Sequence, residues 1–187
     1  MSKRILIEDT KISGLKILNQ TTIGDSRGYF ERLFCIEEMK DLLHEKSIKQ
    51  INHTLTEKRG TIRGMHFQYQ PSSEIKIVKC IRGEVFDVAV DLRENSDTFM
   101  CWHGEILSDK NHRSLFIPEG FAHGFQAVDD NCEMLYFHTA LYNPTLESGI
   151  NPFDSQISII WPIENSILSE KDKTRKMLNN TFKGIKL

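Results

Sequence analysis

The hydrophobic pattern from Ile51 onward consists of short runs in which apolar and polar residues alternate. Residues 75–81 alternate for part of their length, and residues 85–92 alternate again after a turn, which is the two-residue period of a β-strand. In the second run, Asp87 and Asp91 share one face of the strand, and Val88 and Val90 share the other. Turn-forming residues separate further predicted strands at 102–107, 114–117, 124–127 and 133–141.

The number and spacing of these strands predict a β-sandwich or barrel. One early segment, residues 36–44, has the apolar spacing of a helix. The charged segment from Ser169 to about Asn179 is predicted to form a second helix that packs on the outside. The fold class is therefore mainly β with a few short peripheral helices. A length of 187 residues suits a single domain, residues 1–187.

Composition and charge exclude several classes of partner. The chain is 39% hydrophobic and 27% charged, which is ordinary for a soluble globular protein. A formal net charge of −2, with both signs mixed along the chain, provides no electrostatic footprint for nucleic acid or an anionic membrane. The first nine residues lack the apolar stretch of a signal peptide, and no segment approaches the length of a membrane span. We therefore expect a cytoplasmic protein.

The cysteines are Cys35, Cys80, Cys101 and Cys132. None of them has the CxxC spacing of a zinc ribbon or a redox motif, and all lie among apolar or aromatic residues. We therefore expect buried free thiols.

A first candidate site is the motif Gly60–Gln68, which contains Arg63 and His66. Simple alternation would put these two side chains on opposite faces, but Gly64 permits a β-bulge that turns both inward. A guanidinium beside an imidazole suits an anionic substrate, because arginine binds phosphate or carbonyl oxygens with a fork of donors. Local sequence alone favours a simpler alternative, a strand with an exposed arginine and a half-buried histidine.

A second candidate is the motif Ile117–Phe125, in which Pro118 and Gly120 form a rigid turn before His123. In cupin-like barrels a P-x-G-x-x-H turn places its histidine inside the barrel. A metal cupin also supplies an H-x-H pair, which this chain lacks, and a single histidine is a poor metal site. The sequence therefore predicts a site without metal.

Tyrosine provides a third candidate group. Tyr136 lies in a predicted strand neighbouring that of His123, so the two side chains could face one interior, although tyrosine in a strand usually serves packing. The chain has no nucleophile elbow, P-loop or GxGxxG turn, so hydrolase, kinase and dehydrogenase functions lack support.

At these residues the sequence closely resembles the dTDP-4-dehydrorhamnose 3,5-epimerase family. The resemblance extends from about Gly24 to Lys173. It rests on several ordered motifs: GDSRGYFER (24–32), GTIRGMHFQ (60–68), KIVKCIRGEVFDVAVDLR (76–93), IPEGFAHGF (117–125) and ILSEKDK (167–173). The resemblance implies a cupin jelly roll in a homodimer, with neither a metal nor an organic cofactor.

The resemblance also implies roles for individual residues. His66 resembles the catalytic base, Asp172 its carboxylate partner, and Tyr136 the general acid on the other side of the sugar ring. The implied substrate-binding residues are Lys76 and His123 at the ketone, Arg63 and Arg27 at the diphosphate, Phe30, Glu31 and Gln50 at the nucleotide end, and Tyr142, which follows a leucine where the family often has a second aromatic residue.

The implied reaction is inversion of C3 and C5 of dTDP-4-dehydro-6-deoxyglucose. Proton transfer by histidine and tyrosine suits this chemistry, since a proton beside a ketone is acidic once the enolate oxygen is stabilised. A first alternative is inversion of one carbon only, or of a CDP- or GDP-linked 4-ketosugar. Two others are a non-catalytic sugar-nucleotide binder and a metal-dependent cupin oxygenase or isomerase.

Overall fold

The computed structural model describes residues 3–187. Helix α1 spans Ile36–Leu43 and helix α2 spans Glu170–Lys173. The strands are β1 (Ile5–Asp9), β2 (Lys16–Gln20), β3 (Thr22–Asp25), β4 (Gly28–Glu31), β5 (Gln50–Thr56), β6 (Ile62–Gln68), β7 (Lys76–Arg82), β8 (Glu84–Asp91), β9 (Trp102–Ser108), β10 (Arg113–Ile117), β11 (Phe121–Ala127), β12 (Cys132–His138) and β13 (Glu147–Gly149).

The strands form two large antiparallel sheets and one hairpin. The first sheet has the order β1-β2-β10-β7-β12-β5, and the second has the order β13-β6-β11-β8-β9. The hairpin consists of β3 and β4. Strands adjacent in the chain often lie in different sheets, as β10 and β11 do, so the chain crosses repeatedly between the two layers. This arrangement confirms the predicted mainly β fold of the cupin jelly-roll type.

The main core fills the space between the two sheets. Val78 and Met134 from the first sheet pack with Val85, Ala89 and Phe125 from the second, and all five are almost completely buried. Because side chains alternate along a strand, every second residue of β7, β8, β11 and β12 points into this space. These inward positions are apolar in one part of the sandwich and polar in another. The polar part is where a functional site can lie.

Two further apolar clusters cover the outer faces of the sheets. Met39 and Leu43 of α1 pack on the outside of the first sheet, against Ile77 and neighbouring residues. Residues 150–185 cover the second sheet, where Ile157 belongs to the same cluster as Val88 and Val90. Strand β8 is therefore buried on both faces, which explains why the outward Val88 and Val90 are as inaccessible as its inward side chains.

The structure confirms the helix at 36–44 and the later strands, with ends that differ by one to three residues. The strand predicted at 133–141 ends earlier, at His138, because His138 pairs with Gln50 and Lys76, the first residues of β5 and β7. The first four strands were not predicted. Strand β1 exposes Leu6 and Ile7, so its apolar run does not alternate with burial.

The prediction of a helix from Ser169 to about Asn179 is wrong in extent, since α2 ends at Lys173. Asn151 binds the backbone after α2. Its backbone N–H donates to the carbonyl of Lys176 at 3.2 Å, and its side-chain Nδ2 donates to the carbonyl of Arg175 at 3.1 Å. Carbonyls used in this way are not available for helical hydrogen bonds. The segment also does not pack entirely on the outside, because Asp172 is buried.

The prediction of buried thiols holds for Cys80 and Cys132 and is wrong for the other two cysteines. Cys101 is exposed and Cys35 is half-buried. Cys35 directly precedes α1 and Cys101 directly precedes β9, so neither lies at an inward position of a strand. All four thiols are free. Within residues 3–187, neither helix has the length and apolar character needed to cross a bilayer.

Gly64→Ala is expected to lower the free energy of unfolding by about 1–3 kcal/mol more than Gly28→Ala. Both glycines have left-handed φ values, +135° and +130°, so the backbone cost of a side chain is similar. A Cβ on Gly64 would lie 2.6 Å from the Cα of Gly124, whereas a Cβ on Gly28 would meet nothing within 4 Å. Urea unfolding measures the difference, and equal losses in the two variants would contradict tight packing at Gly64.

Candidate active site

A cavity of about 620 Å³ lies between the sheets, where the inward side chains become polar. Its volume is within the range of small-molecule sites. Both sheets and the segment before and within α2 contribute to its wall. The lining residues are Asn52, Thr54, Lys76, Tyr136 and His138 from the first sheet, Ile62, Arg63, His66, His123 and Phe125 from the second, and Thr61, Ile167, Leu168, Ser169, Lys171 and Asp172 from connecting segments.

A β-bulge in β6 brings Arg63 and His66 to the same cavity, as the glycine between them predicted. His66 pairs with His123 and Arg63 with Phe125, so two residues of β6 lie opposite one residue of β11. The Arg63 guanidinium donates from Nε to Thr56 Oγ1 at 3.0 Å and from Nη2 to the Leu55 carbonyl at 3.2 Å. An arginine has five N–H donors, so an anionic ligand can bind the others.

His66 and Asp172 form a short hydrogen bond, with 2.6 Å between Nε2 and Oδ1. Burial raises the pKa of the Asp172 carboxyl. The hydrogen bond from His66 and the charge of His66 lower the pKa by more than burial raises it, so the net pKa is below the ordinary value. An ionised carboxylate can only accept, so the bonded Nε2 of His66 carries the proton. Nδ1 of His66 is then the nitrogen with a lone pair, which a general base requires.

His123 is held by a second carboxylate, that of Asp87. The Nε2 atom of His123 lies 3.0 and 2.9 Å from the two oxygens of Asp87, and both residues are buried. The His123 ring also meets the ring of Tyr136 edge-on, with 6.2 Å between centroids. The two strands therefore direct their side chains into one interior, as expected.

Tyr136 lies on the opposite sheet from His66. Burial raises the pKa of its hydroxyl above the ordinary value, so the group stays protonated near neutral pH and can donate a proton. Thr54 Oγ1 lies 3.4 Å from the hydroxyl oxygen. Lys76, also on this sheet, lines the cavity, and its ammonium lies 3.3 Å from an oxygen of Glu74.

Three of the implied nucleotide-binding residues lie away from this cavity. Arg27, at the tip of the β3–β4 hairpin, is 87% exposed and pairs with Asp25. Phe30 lies on the same hairpin and is 58% exposed. Glu31 turns inward to a separate polar cluster, where it binds Lys79 at 2.8 Å.

Gln50 and Tyr142 do not line the cavity but are linked to it by hydrogen bonds through Asn52. Gln50 Oε1 accepts from the backbone N–H of Tyr142 at 3.3 Å, and Gln50 Nε2 donates to Asn52, a lining residue, at 3.0 Å. The Tyr142 side chain itself is mainly exposed.

Several lining residues were missed in the sequence analysis. Asn52 and Thr54 alternate with Gln50 along β5, and His138 is two residues after Tyr136 on β12. Residues two apart share a face, so the alternation of polar residues around Gln50 and Tyr136 was the available signal. Asp87 carried a signal too, since an acidic residue interrupts an otherwise apolar strand.

In residues 3–187 no group of three or more histidine, cysteine, aspartate or glutamate side chains is arranged to hold a metal ion. A reaction without metal or organic cofactor remains a prediction.

Asp172→Asn is expected to destabilise the protein mainly above the ordinary aspartate pKa of 3.8, because the lowered pKa means that folding favours the ionised form. This contribution is lost as pH falls through the lowered pKa, so the gap between wild type and variant narrows below about pH 4. Urea unfolding from about pH 7 to about pH 3 measures the gap, with Asp41→Asn on the exposed side of α1 as the control. A gap that does not change over this range would contradict the prediction.

The sequence of this chain is similar to those of known enzymes. The dTDP-4-dehydrorhamnose 3,5-epimerase of Methanothermobacter thermautotrophicus is 45% identical over 172 residues, 90% of this chain and 92% of that protein. The dTDP-4-dehydrorhamnose 3-epimerase of Streptomyces niveus is 34% identical over 89% of this chain and 81% of that protein.

A solved structure agrees closely with the two-sheet architecture. The dTDP-6-deoxy-D-glucose-3,5-epimerase of Legionella pneumophila, crystallised with dTDP-4-keto-L-rhamnose, superposes with a TM-score of 0.89 at 39% identity, covering 95% of this chain and 94% of that one. The model of one isomerase family, described as dTDP-4-dehydrorhamnose 3,5-epimerase, matches residues 9–180. With its polar cavity between two sheets and this match over most of its length, the chain belongs to the dTDP-4-dehydrorhamnose 3,5-epimerase family.

Proposed function

We propose that this protein inverts C3 and C5 of dTDP-4-dehydro-6-deoxyglucose and so forms dTDP-4-dehydrorhamnose. One observation carries the proposal: an imidazole oriented by a carboxylate and a protonated tyrosine enter one cavity from opposite sheets. A sugar ring between the sheets would have His66 on one face and Tyr136 on the other. Inversion requires a proton to leave one face and another to arrive on the opposite face.

The reaction begins with removal of a proton from a carbon next to the C4 ketone. His66 Nδ1 accepts this proton, and Asp172 stabilises the imidazolium that forms. Negative charge develops on the ketone oxygen in the same step. Lys76 supplies a positive charge for it in a largely buried position, where electrostatic stabilisation is stronger than in water.

The proton that completes inversion comes from Tyr136. Burial keeps its hydroxyl protonated, so it can donate to the carbon from the side opposite His66. A cycle at C5 and a cycle at C3 produce the double epimer. His123, which Asp87 fixes, lines the same cavity and would bind the ketone and the neighbouring oxygens of the sugar.

The diphosphate and nucleotide are bound by Arg63 together with a second protomer. Arg27 and Phe30 lie on an exposed hairpin away from the cavity of their own chain. In a homodimer, the hairpin of one protomer reaches the cavity of its partner and adds Arg27 to the diphosphate site. Binding energy at this remote end positions the sugar ring for proton transfer.

Inversion of a single carbon is the second candidate, supported by the 34% identity to the 3-epimerase of Streptomyces niveus. The same base and acid would serve, and only the carbon presented to His66 would differ. Product analysis by NMR distinguishes a single epimer from the double epimer.

His66→Ala is expected to lower the rate of product formation from dTDP-4-dehydro-6-deoxyglucose by at least about 100-fold, because general-base catalysis is worth about 10²–10⁴-fold. NMR of the product measures the rate. His53→Ala is the matched control, since His53 lies on the outer face of β5 and pairs with Glu133. Equal activity in the two variants would contradict the role of His66.

A mixture of Arg27→Ala and His66→Ala protomers is expected to recover about a quarter of wild-type activity, measured at low substrate concentration. Half of the randomly formed dimers are mixed, and each mixed dimer has one site with an intact His66 and an intact Arg27 from the partner.

Mixing His66→Ala with Asp172→Asn is the control for this recovery. Both changes lie in the cavity of their own chain, so no site is repaired. Failure of the first mixture to exceed the control would contradict a shared site.

A further inference from the structure

A third imidazole–carboxylate pair consists of His138, which lines the cavity, and Glu74 behind it, and the reaction described above does not use this pair. His138 Nδ1 lies 2.8 Å from Glu74 Oε2, and the two side chains are 14% and 8% exposed. The other oxygen of Glu74 lies 3.3 Å from the ammonium of Lys76. The His138 ring stacks on that of Tyr136, with 6.1 Å between centroids and 18° between planes. The pair therefore contacts both the lysine and the tyrosine of the proposed reaction.

A directional chain of hydrogen bonds leads to this pair from Tyr142, outside the cavity. The backbone N–H of Tyr142 can only donate a hydrogen bond, so Gln50 accepts it through Oε1 at 3.3 Å. Gln50 Nε2 then donates to Asn52 Oδ1 at 3.0 Å, and Asn52 Nδ2 faces His138 Nε2 at 3.3 Å. His138 Nε2 must therefore be the acceptor.

The carboxylate of Glu74 ends the chain. Burial raises its pKa, but the hydrogen bond from His138 and the charge of Lys76 outweigh burial, so the net pKa is lowered and the group is ionised. It accepts from His138 Nδ1–H on one oxygen and from Lys76 on the other. Donors thus approach from both ends, and only a group with two acceptor oxygens satisfies both.

An amide in place of Glu74 would break this order. With its oxygen toward Lys76, the amide would present an N–H group to the His138 N–H. Relief of that clash requires the proton of His138 to move to Nε2, where it meets the N–H of Asn52. If Asn52 and Gln50 then turn their amides to suit, an N–H of Gln50 meets the backbone N–H of Tyr142, which cannot accept a hydrogen bond. The chain of hydrogen bonds thus couples the position of Lys76 to Gln50 and Tyr142 outside the cavity.

Packing alone does not require this pair. Deeper in the sandwich, the inward positions of β7 and β12 include Val78 and Met134, both completely buried and apolar. Buried ionic groups cost free energy unless they are well paired, and apolar residues of similar size often replace them without loss. A lysine, a glutamate and a histidine beside the cavity therefore point to a role in the chemistry of the site.

We propose that Glu74 and His138 are positioning residues for the reaction: they hold the Lys76 ammonium where the enolate oxygen forms and fix the face of Tyr136. This inference rests on the proposed function, since it assumes that Lys76 stabilises the enolate. The Glu74–His138 pair is defined by its geometry alone, so the tautomer of His138 can be measured without substrate.

The first test is ¹⁵N NMR of the histidine rings in wild type and Glu74→Gln. The expected result is that wild-type His138 carries its proton on Nδ1, with an unprotonated Nε2, and that Glu74→Gln shifts it toward the Nε2–H form. Wild-type His138 protonated on Nε2, or a tautomer unchanged by Glu74→Gln, would overturn the hydrogen-bond chain whatever reaction the protein catalyses.

The second test compares kcat and KM for dTDP-4-dehydro-6-deoxyglucose. Glu74→Gln is expected to lower kcat by about 10- to 100-fold, because small displacements of a reacting group carry costs of this size, and to change KM by less than about twofold. Glu133→Gln is the control, since it removes the carboxylate of the His53–Glu133 pair, which joins β5 and β12 on the outer face of the sheet.

Two substitutions of His138 separate positioning from packing. Asparagine places an N–H near the position of Nδ1 and keeps the bond to Glu74, whereas glutamine reaches toward Nε2 and loses it. His138→Asn is therefore expected to stay within about threefold of wild-type kcat, and His138→Gln to lose as much as Glu74→Gln.

Equal loss in both His138 variants, or wild-type kcat in Glu74→Gln, would overturn the positioning role. A wild-type protein that forms no product would instead contradict the proposed function, which the tautomer test does not depend on.

Discussion

Alternation of side chains along paired antiparallel strands is the constraint on which the rest of this structure depends. In β7 and β12 the same rule that directs Val78 and Met134 into the core directs Lys76 and Tyr136 into the cavity. The glycine bulge in β6 is the one local departure that the site needs, since it brings Arg63 and His66 to the same side. Core and active site are therefore parts of one interior that differ only in which residue types occupy its inward positions.

Carboxylates then give this interior its chemical order. His66, His123 and His138 are each hydrogen-bonded to a buried carboxylate, from Asp172, Asp87 and Glu74. An ionised carboxylate only accepts, so each pair fixes which ring nitrogen carries the proton. In the pair at α2 the bonded atom is Nε2, and in the pair with Glu74 it is Nδ1. The nitrogen left with a lone pair is therefore different in the base and in the positioning residue.

The sequence predicted the strands that carry most of the site, because their inward and outward positions differ clearly in polarity. It did not predict β1, whose Leu6 and Ile7 are exposed, or the exposed β3–β4 hairpin. In these segments apolar residues do not alternate with polar ones according to burial. The pairing of Asp172 with His66 could not follow from periodicity, because 106 residues separate them. It came from the resemblance to a family. The Glu74–His138 pair was missed because each residue alone looks like an ordinary polar residue at a strand end.

The most direct test of the central claim is to incubate the wild-type protein with dTDP-4-dehydro-6-deoxyglucose in deuterated water and to count deuterium at each carbon by NMR. Proton transfer next to the ketone by His66 and Tyr136 predicts deuterium at both C3 and C5, with inverted configuration at each, and none at C1 or C2. Inversion without deuterium, or no exchange at any carbon while the nucleotide sugar is bound, would contradict the account.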